Sequence, residues 1–300
     1  MWIASALRGV DLAGIDVVQK LTACWELTKP RVAALVVTVA LGGFWMGSAG
    51  APTPLHSWGA IVGIALLAAG MFALNQCFER ELDARMRRTG NRPLPSGRLT
   101  IREALGFGWT ASAVGIVSLA AMVNLLSALV GAITLAAYLF VYTPLKTRSP
   151  HCTLIGALPG AAPPLLGWVA ATGRFSLEAW SLFAILFVWQ FPHFHSIALL
   201  YREDYAQAGI RLWSTVEPEG KTLGRQTVGF AIAMLPVSLA PALLGMAGPV
   251  YIAGALLLGA GLLYLAVRMA AEQSRRQAQR LLLGSVLYLP GLMALMALRK

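Results

Sequence analysis

The sequence predicts an all-α polytopic membrane protein, and three observations carry that prediction. Nine apolar runs recur, at roughly 31–49, 58–78, 102–121, 124–142, 152–171, 177–200, 226–246, 249–268 and 280–298, each about the 20 residues that a helix needs to cross a bilayer. Of the 300 residues 57% are hydrophobic and 12% charged, which excludes an ordinary soluble domain. The basic residues fall almost entirely on one side of the helix map.

That asymmetry sets the orientation. Four Lys or Arg precede or open the first run, and seven, two, four and four lie in the connections after runs two, four, six and eight, whereas the other side holds Arg174, Arg299 and Lys300. Positive residues stay inside, so the N-terminus is expected in the cytoplasm and the C-terminus outside. The net charge of +11 follows from this topology together with an anionic substrate or anionic lipid, and needs no nucleic acid. Residues 1–20 lack the regions of a cleaved signal peptide and make a poor mitochondrial transit peptide, so a bacterial inner membrane is the expected home. With no repeat or low-complexity segment, residues 1–300 read as one integral-membrane domain. It has a cytoplasmic N-terminal segment (1–26) and two cytoplasmic cap loops (79–101 and 201–225).

In chain order, LTKPR (27–31) announces the first helix: Pro30 fits a first turn, where a missing N–H costs nothing, and Lys29 and Arg31 read as interface anchors. Trp45, Trp58, Trp168 and Trp180 lie near outer helix ends, as an aromatic belt would place them. The turns AGAPTP, TRSPH, ATGRF and MAGP break the apolar runs. Helix five carries Gly156, Gly160 and Gly167 with Pro159, Pro163 and Pro164, and reads either as the lining of a cavity or as a kinked packing helix. Helices seven to nine are nearly pure Ala, Leu, Gly and Val and read as scaffold, with 268–280 a solvated inner loop. Cys24, Cys77 and Cys152 match no metal or redox spacing and are expected as free thiols.

The chemistry gathers at the inner face. The stretch NQCFERELDARMRRTGNRPLPSGRLT (75–100) ends the second helix. Read as helix, Asn75, Glu79 and Asp83 stand at i, i+4 and i+8 and share a face. Such a column repels itself unless a cation sits in it, and hard oxygen donors suit Mg²⁺ carried by a phosphate-bearing substrate. Arg88, Arg92 and Arg98 offer forked donors to the same phosphates. A salt-bridged interfacial helix end is the other reading, and it is the one assigned to Glu81 with Arg85. After helix four, Tyr142 leads into a turn held between Pro144 and Pro150 that presents Lys146 and Arg148. Helix six is expected to kink at Pro192, followed by His193 and His195, which point apart. Arg202, Glu203, Asp204 and Tyr205 then open the second cap loop. Two long polar loops over one end of a helical cavity suit an enzyme acting on an amphiphile that enters from the bilayer.

NQCFERELDARMRRTGNRPLPSG, YTPLK followed by IGALPGAAPPLLGW, and WQFPHF followed by REDYAQAG together resemble the UbiA superfamily of intramembrane aromatic prenyltransferases, and within it the protoheme IX farnesyltransferases. The histidine segment narrows the resemblance to the heme branch, because relatives acting on phenolic acids are acid-rich there. It implies nine transmembrane helices around a central cavity open to the cytoplasmic side. It also implies transfer of farnesyl from farnesyl diphosphate to a vinyl group of heme B, with addition of water, to give heme O. In that reading Asn75, Glu79 and Asp83 hold Mg²⁺, and Arg88, Arg92, Lys146 and Arg148 hold diphosphate. His193 orients the heme or meets its iron, with His195 ranked below it, and Tyr142, Asp204 and Tyr205 complete the cap. Heme A synthase or terminal-oxidase assembly components would be the neighbouring proteins. The chain departs from many relatives at Glu79 and Glu81, where aspartates are frequent, and at AGIRLWST (208–215). A prenyltransferase with a phenolic acceptor, a transporter and a non-catalytic assembly factor are the rival readings.

Overall fold

The computed structural model describes residues 12–48, 53–217 and 219–298. Arg8, Arg299, Lys300 and most of the AGAPTP turn lie outside them. Among the described residues there is no strand, and nine helices are long and apolar enough to cross a membrane. A short helix α1 (Leu12–Leu27) precedes α2 (Pro30–Gly47) and α3 (Pro54–Phe78), and α4 (Arg80–Ala84) follows at once. Then come α5 (Ile101–Met122) and α6 (Leu125–Ala136), which runs on through a π-helical turn (Ala137–Tyr142) into α7 (Thr143–Leu145). The second half holds α8 (Cys152–Thr172), α9 (Leu177–Leu200), α10 (Arg202–Gln207), α11 (Trp213–Val216), α12 (Lys221–Leu243), α13 (Pro249–Glu272) and α14 (Arg275–Ala297).

Three boundaries differ from the expectation. Residues from Leu12 onward in the N-terminal segment are helical. The seventh span starts at Lys221, so the second cap loop is five residues shorter than read. The supposed inner loop 268–280 is helix on both sides of a turn at Gln273 and Ser274, where Gln273 takes φ 45° and the Ser274 hydroxyl accepts from the Gln277 N–H. Its Arg, Met, Ala, Glu and Gln are good helix formers. Polar composition marked where the chain leaves the bilayer, not where the helix ends.

Two hydrophobic cores share α8. Leu166 packs with Ala40, Ile64, Leu67, Leu119 and Leu135 from the first half. On the other side Leu165 and Val169 join a core built from α9, α12, α13 and α14. Despite three internal prolines α8 is an unbroken helix, and α9 likewise runs through Pro192. The crossing of α2 and α8 is backbone against backbone. A Cβ on Gly167 would lie 1.7 Å from the Ala40 carbonyl oxygen, and one on Gly43 would lie 2.1 Å from that of Pro164, so these positions admit no side chain. Trp45, Trp58 and Trp180 are exposed as a belt requires, but Trp168 is buried because it stands on the face of α8 that packs against α2 at Gly47. The three cysteines are free.

Candidate active site

The helix of α3 breaks at Glu79 (φ −102°, ψ 8°), yet the hydrogen-bond period does not. Glu79 N–H donates to the Asn75 carbonyl at 3.0 Å and Asp83 N–H to that of Glu79 at 2.8 Å. The column read from the sequence therefore survives into α4. Asn75, Glu79 and Asp83 are 1%, 7% and 1% exposed, while Arg80 and Glu81 between them face out. Glu81 lies 3.7 Å from Arg80, not against Arg85 as expected.

Each buried oxygen group has its own cation. The Lys29 ammonium donates to Asn75 Oδ1 at 3.1 Å, Lys146 to Glu79 Oε1 at 2.5 Å, and Arg92 to both oxygens of Asp83 at 2.8 and 2.7 Å. The Asn75 amide N–H donates to the Thr143 hydroxyl, which in turn donates to the Tyr138 carbonyl. Three cations face two carboxylates, so the cluster carries a surplus positive charge suited to an anion.

Local structure explains how distant residues meet. The π-helical turn adds a residue to the end of α6, a feature frequent at functional sites, and so brings Thr143 and Tyr142 toward α3 and α8. Tyr142 lies where a Cβ on Gly156 would be 2.4 Å from its ring, and the Lys146 ammonium sits 4.5 Å above that ring. Lys29 takes a left-handed conformation (φ 50°, ψ 60°) before Pro30, since a following proline disfavours the right-handed helical region. The preceding turn is pinned by Gln76, whose amide donates to the Leu27 carbonyl at 2.7 Å. Thr89 donates to the Asp83 carbonyl at 2.8 Å and folds the first cap loop back so that Arg92 reaches the column.

The charges perturb one another. Burial, aided by Arg92 and opposed by Glu79, pulls the Lys29 ammonium down to about 7. Burial alone would raise the Glu79 carboxyl, but Lys146 and Lys29 hold it below its ordinary value. Burial alone would lower Lys146, and Glu79 instead keeps it above the usual lysine range.

Other expected residues sit elsewhere. Arg88 is exposed, with its guanidinium 4.5 Å over Tyr201 and 5.8 Å from the Tyr205 ring, and it donates to the Tyr205 hydroxyl at 3.2 Å. It clasps the two cap loops together, and Met86, Ala208 and Ile210 pack beneath the seam. Arg98 forms a fork onto Glu26 at 2.8 and 2.6 Å and is turned away from the column. Arg148 is exposed on its turn, and Asp204 is half-buried at the mouth beside Tyr205. The AGIRLWST segment closes over the site's edge, where Arg211 N–H donates to the Lys146 carbonyl at 2.8 Å.

The two histidines diverge as their spacing requires. His193 stacks on Trp189, with centroids 4.7 Å apart, and its Nδ1 lies 3.0 Å from Ser285 Oγ on α14. His195 Nδ1 lies 2.9 Å from Thr227 Oγ1 on α12. Ser285 and Thr227 already donate to the Leu282 and Leu223 carbonyls, so each Nδ1 carries the proton and donates, leaving Nε2 with its lone pair. For His195 that nitrogen is buried and unpartnered. Leu182 and Leu186 continue the His193 face of α9 into a narrow apolar cavity of about 30 Å³, which Gly42, Gly43, Pro164 and Met293 also line.

Sequence reasoning assigned Lys29 to anchoring and gave Thr143 and Tyr201 no role. Lys29 stands 46 residues from Asn75, and no spacing rule links them. Its direct neighbour Pro30 offered a sufficient structural reason for the basic residue.

The donor set fits a magnesium ion that arrives with its substrate. All three donors are oxygens, which suits a hard cation, and an amide and two carboxylates leave about half of an octahedral shell to phosphate and water.

Fold and site together define a helical membrane protein with a buried cluster of cations and oxygen groups gathered where α3, α7 and the turn before α2 meet. Residues 35–289 match the model of the UbiA prenyltransferase family. The chain is 50% identical over 285 residues to the protoheme IX farnesyltransferase of Solibacter usitatus (strain Ellin6076), covering 91% of this chain and 97% of that one. It is 47% identical to that of Koribacter versatilis (strain Ellin345), over 91% of each. Among solved structures it superposes on digeranylgeranylglyceryl phosphate synthase with a TM-score of 0.78 at 17% identity, over 93% of this chain and 98% of that one. A UbiA homolog from Archaeoglobus fulgidus bound to GPP and Mg²⁺ gives 0.60 at 18%, over 92% and 99%. The chain belongs to the UbiA prenyltransferase family, on its protoheme IX farnesyltransferase branch.

Proposed function

We propose that the protein transfers a farnesyl group from farnesyl diphosphate to a vinyl group of heme B, with addition of water, giving heme O and diphosphate. The observation that carries the proposal is the meeting of Asn75, Glu79 and Asp83 with Lys29, Lys146 and Arg92 in one buried cluster, on a chain half identical to a protoheme IX farnesyltransferase. Asn75, Glu79 and Asp83 are the residues that would hold Mg²⁺, which when bound neutralises leaving-group charge.

The chain's own groups act as follows. Lys29, Lys146 and Arg92 are drawn from the carboxylates to the diphosphate oxygens and stabilise the charge that develops as the allylic C–O bond breaks. Tyr142 and Phe72 present π-faces beside Lys146 and Lys29, and these faces also suit an allylic cation. Farnesyl C1 then bonds to the terminal vinyl carbon, and water adds at the carbon next to the porphyrin with loss of one proton. The clasp of Arg88 with Tyr201 and Tyr205 keeps water out until then. Arg148 and Asp204 line the mouth. His193, whose Nε2 is free of its Ser285 contact, would orient the heme or meet its iron, with His195 as a reserve contact. The cluster faces the cytoplasm of a bacterial inner membrane, and the oxidase assembly machinery that uses heme O is the expected partner.

Expression in cells lacking heme O synthase, followed by chromatography of extracted pigments, tests the reading. Heme O is the expected product. Prenylation of 4-hydroxybenzoate alone would replace heme with a phenolic acceptor, and a cellular effect left intact by Asp83→Ala would point to a non-catalytic assembly role.

A further inference from the structure

Helix α1 buries one face and leaves the other bare. Ala23 and Leu27 are fully buried in a small core with Ala73, Cys77, Leu94 and Leu99. Val17, Val18, Leu21 and Trp25 are 55%, 63%, 65% and 64% exposed, and at 100° per residue they fall within an arc of about 100°. On the flanks Lys20 pairs with Glu103 at 3.0 Å and Glu26 with Arg98 at 2.6 Å. These pairs fix the rotation of α1 about its axis, because both flanks are tied to the start of α5 and the loop before it.

The bare face is therefore aimed by the fold, and its position says what covers it. Three residues after Leu27 the chain enters the first membrane span at Pro30, so Trp25 is within two turns of the bilayer surface. The left-handed turn at Lys29 redirects the chain, so α1 does not prolong α2 through the membrane. In the first turns of α2 the side chains Val32 and Leu35 are likewise exposed, at 46% and 66%, and Arg31 and Arg102, at the starts of α2 and α5, are exposed too. A short helix with Trp, Leu and Val on one side and ion pairs on its edges is the pattern of an interfacial helix.

We infer that α1 is an in-plane membrane anchor whose Val17, Val18, Leu21 and Trp25 face sits in the lipid headgroup and upper acyl region of the leaflet from which α2 starts. The anchor is mechanically joined to the charged cluster, since Leu27 and Lys29 hold Gln76 and Asn75 directly. Lipid thereby sets the depth of the turn that carries Lys29.

The test uses the full chain, with Cys24, Cys77 and Cys152 replaced by alanine, in phosphatidylethanolamine/phosphatidylglycerol vesicles. Nitroxide labels are placed singly at positions 17, 18, 19, 21, 22 and 25. Labels at 17, 18, 21 and 25 are expected to collide with dissolved oxygen and to be protected from a water-soluble nickel chelate, with the reverse at 19 and 22. Nickel access at all six positions would show a helix standing in water. Protection from both reagents at 17, 18, 21 and 25 would show a protein cover, either the preceding residues or a second copy, and either result overturns the inference. Because labels can disturb packing, quenching by brominated lipid is compared between wild type and Trp25→Phe. The difference emission is expected to be blue-shifted and quenched, and an unquenched difference would contradict the anchor.

Discussion

The two halves of the bundle both bury polar side chains, and they do so in opposite ways. In the second half the Tyr251 hydroxyl donates to the Ser238 carbonyl and the Ser238 and Tyr288 hydroxyls bond each other, each at 2.6 Å, tying α12, α13 and α14 together. Every partner there is neutral and satisfied by its neighbour, which rigidifies. Around Asn75, Glu79 and Asp83 the partners include three cations, Lys29, Lys146 and Arg92, all on long flexible side chains. Buried ion pairs are poor sources of net stability because desolvation consumes the Coulomb gain. What such a cluster offers is exchange: an incoming anion can take the cations and an incoming metal the carboxylates, without exposing either. The hydroxyl network holds helices, whereas the charged cluster holds a place for a ligand.

Substitutions break that contrast in decreasing steps. Asp83→Ala is expected to reduce farnesyl transfer in membranes by about 100-fold or more, the scale of losing a preorganised electrostatic group, and to lower the thermal melt as well, because it leaves Arg92 without its partner. Lys29→Met is expected to cost about tenfold in kcat/KM, close to 1.4 kcal/mol, with Lys29→Arg recovering part of it. Arg88→Ala removes a cation–π clasp worth about 1 kcal/mol. It is expected to raise KM for the acceptor severalfold and to speed proteolysis within the cap loops, with little change in kcat. Tyr288→Phe sharpens the contrast from the other side. A neutral hydrogen bond is lost, so stability should fall by about 1 kcal/mol in a denaturation assay, with turnover unchanged.

The smallest effect is a pH dependence at Glu26. The Arg98 hydrogen bonds hold its carboxyl below the ordinary value. A depressed folded-state value stabilises the fold above the unfolded value and loses that contribution as pH falls through the folded one. With both partners 41% exposed, solvent screening limits the term to under about 0.5 kcal/mol. Comparing melts of wild type and Glu26→Gln at neutral pH and below pH 4 is expected to show a small gap that closes in acid.

Much of this architecture was legible in the residues. Span length gave the nine membrane-length helices found among the described residues, because the bilayer imposes it. The i, i+4, i+8 spacing gave the buried column, because hydrogen-bond periodicity outlasts the break at Glu79. What stayed hidden depends on contacts between distant segments. Arg98 and Arg92 look alike in sequence, yet one meets Glu26 and the other Asp83, a choice made by how the first cap loop folds at Thr89. Lys29 was hidden by its own proline, and Trp168 by a belt rule that holds only for the face of a helix that is left uncovered. The inner loop at 268–280 was misread because hydropathy marks the membrane and not the helix.

Binding of the nonhydrolysable analogue farnesyl thiodiphosphate to purified protein, followed by calorimetry with and without Mg²⁺ for wild type and Glu79→Gln, tests most directly whether the charged cluster is a ligand-exchange site. Tight binding that requires Mg²⁺ in wild type, weakened at least about tenfold in the variant, is the expected result. Equal affinity in all four conditions would mean that the acids and cations around Asn75 hold only each other.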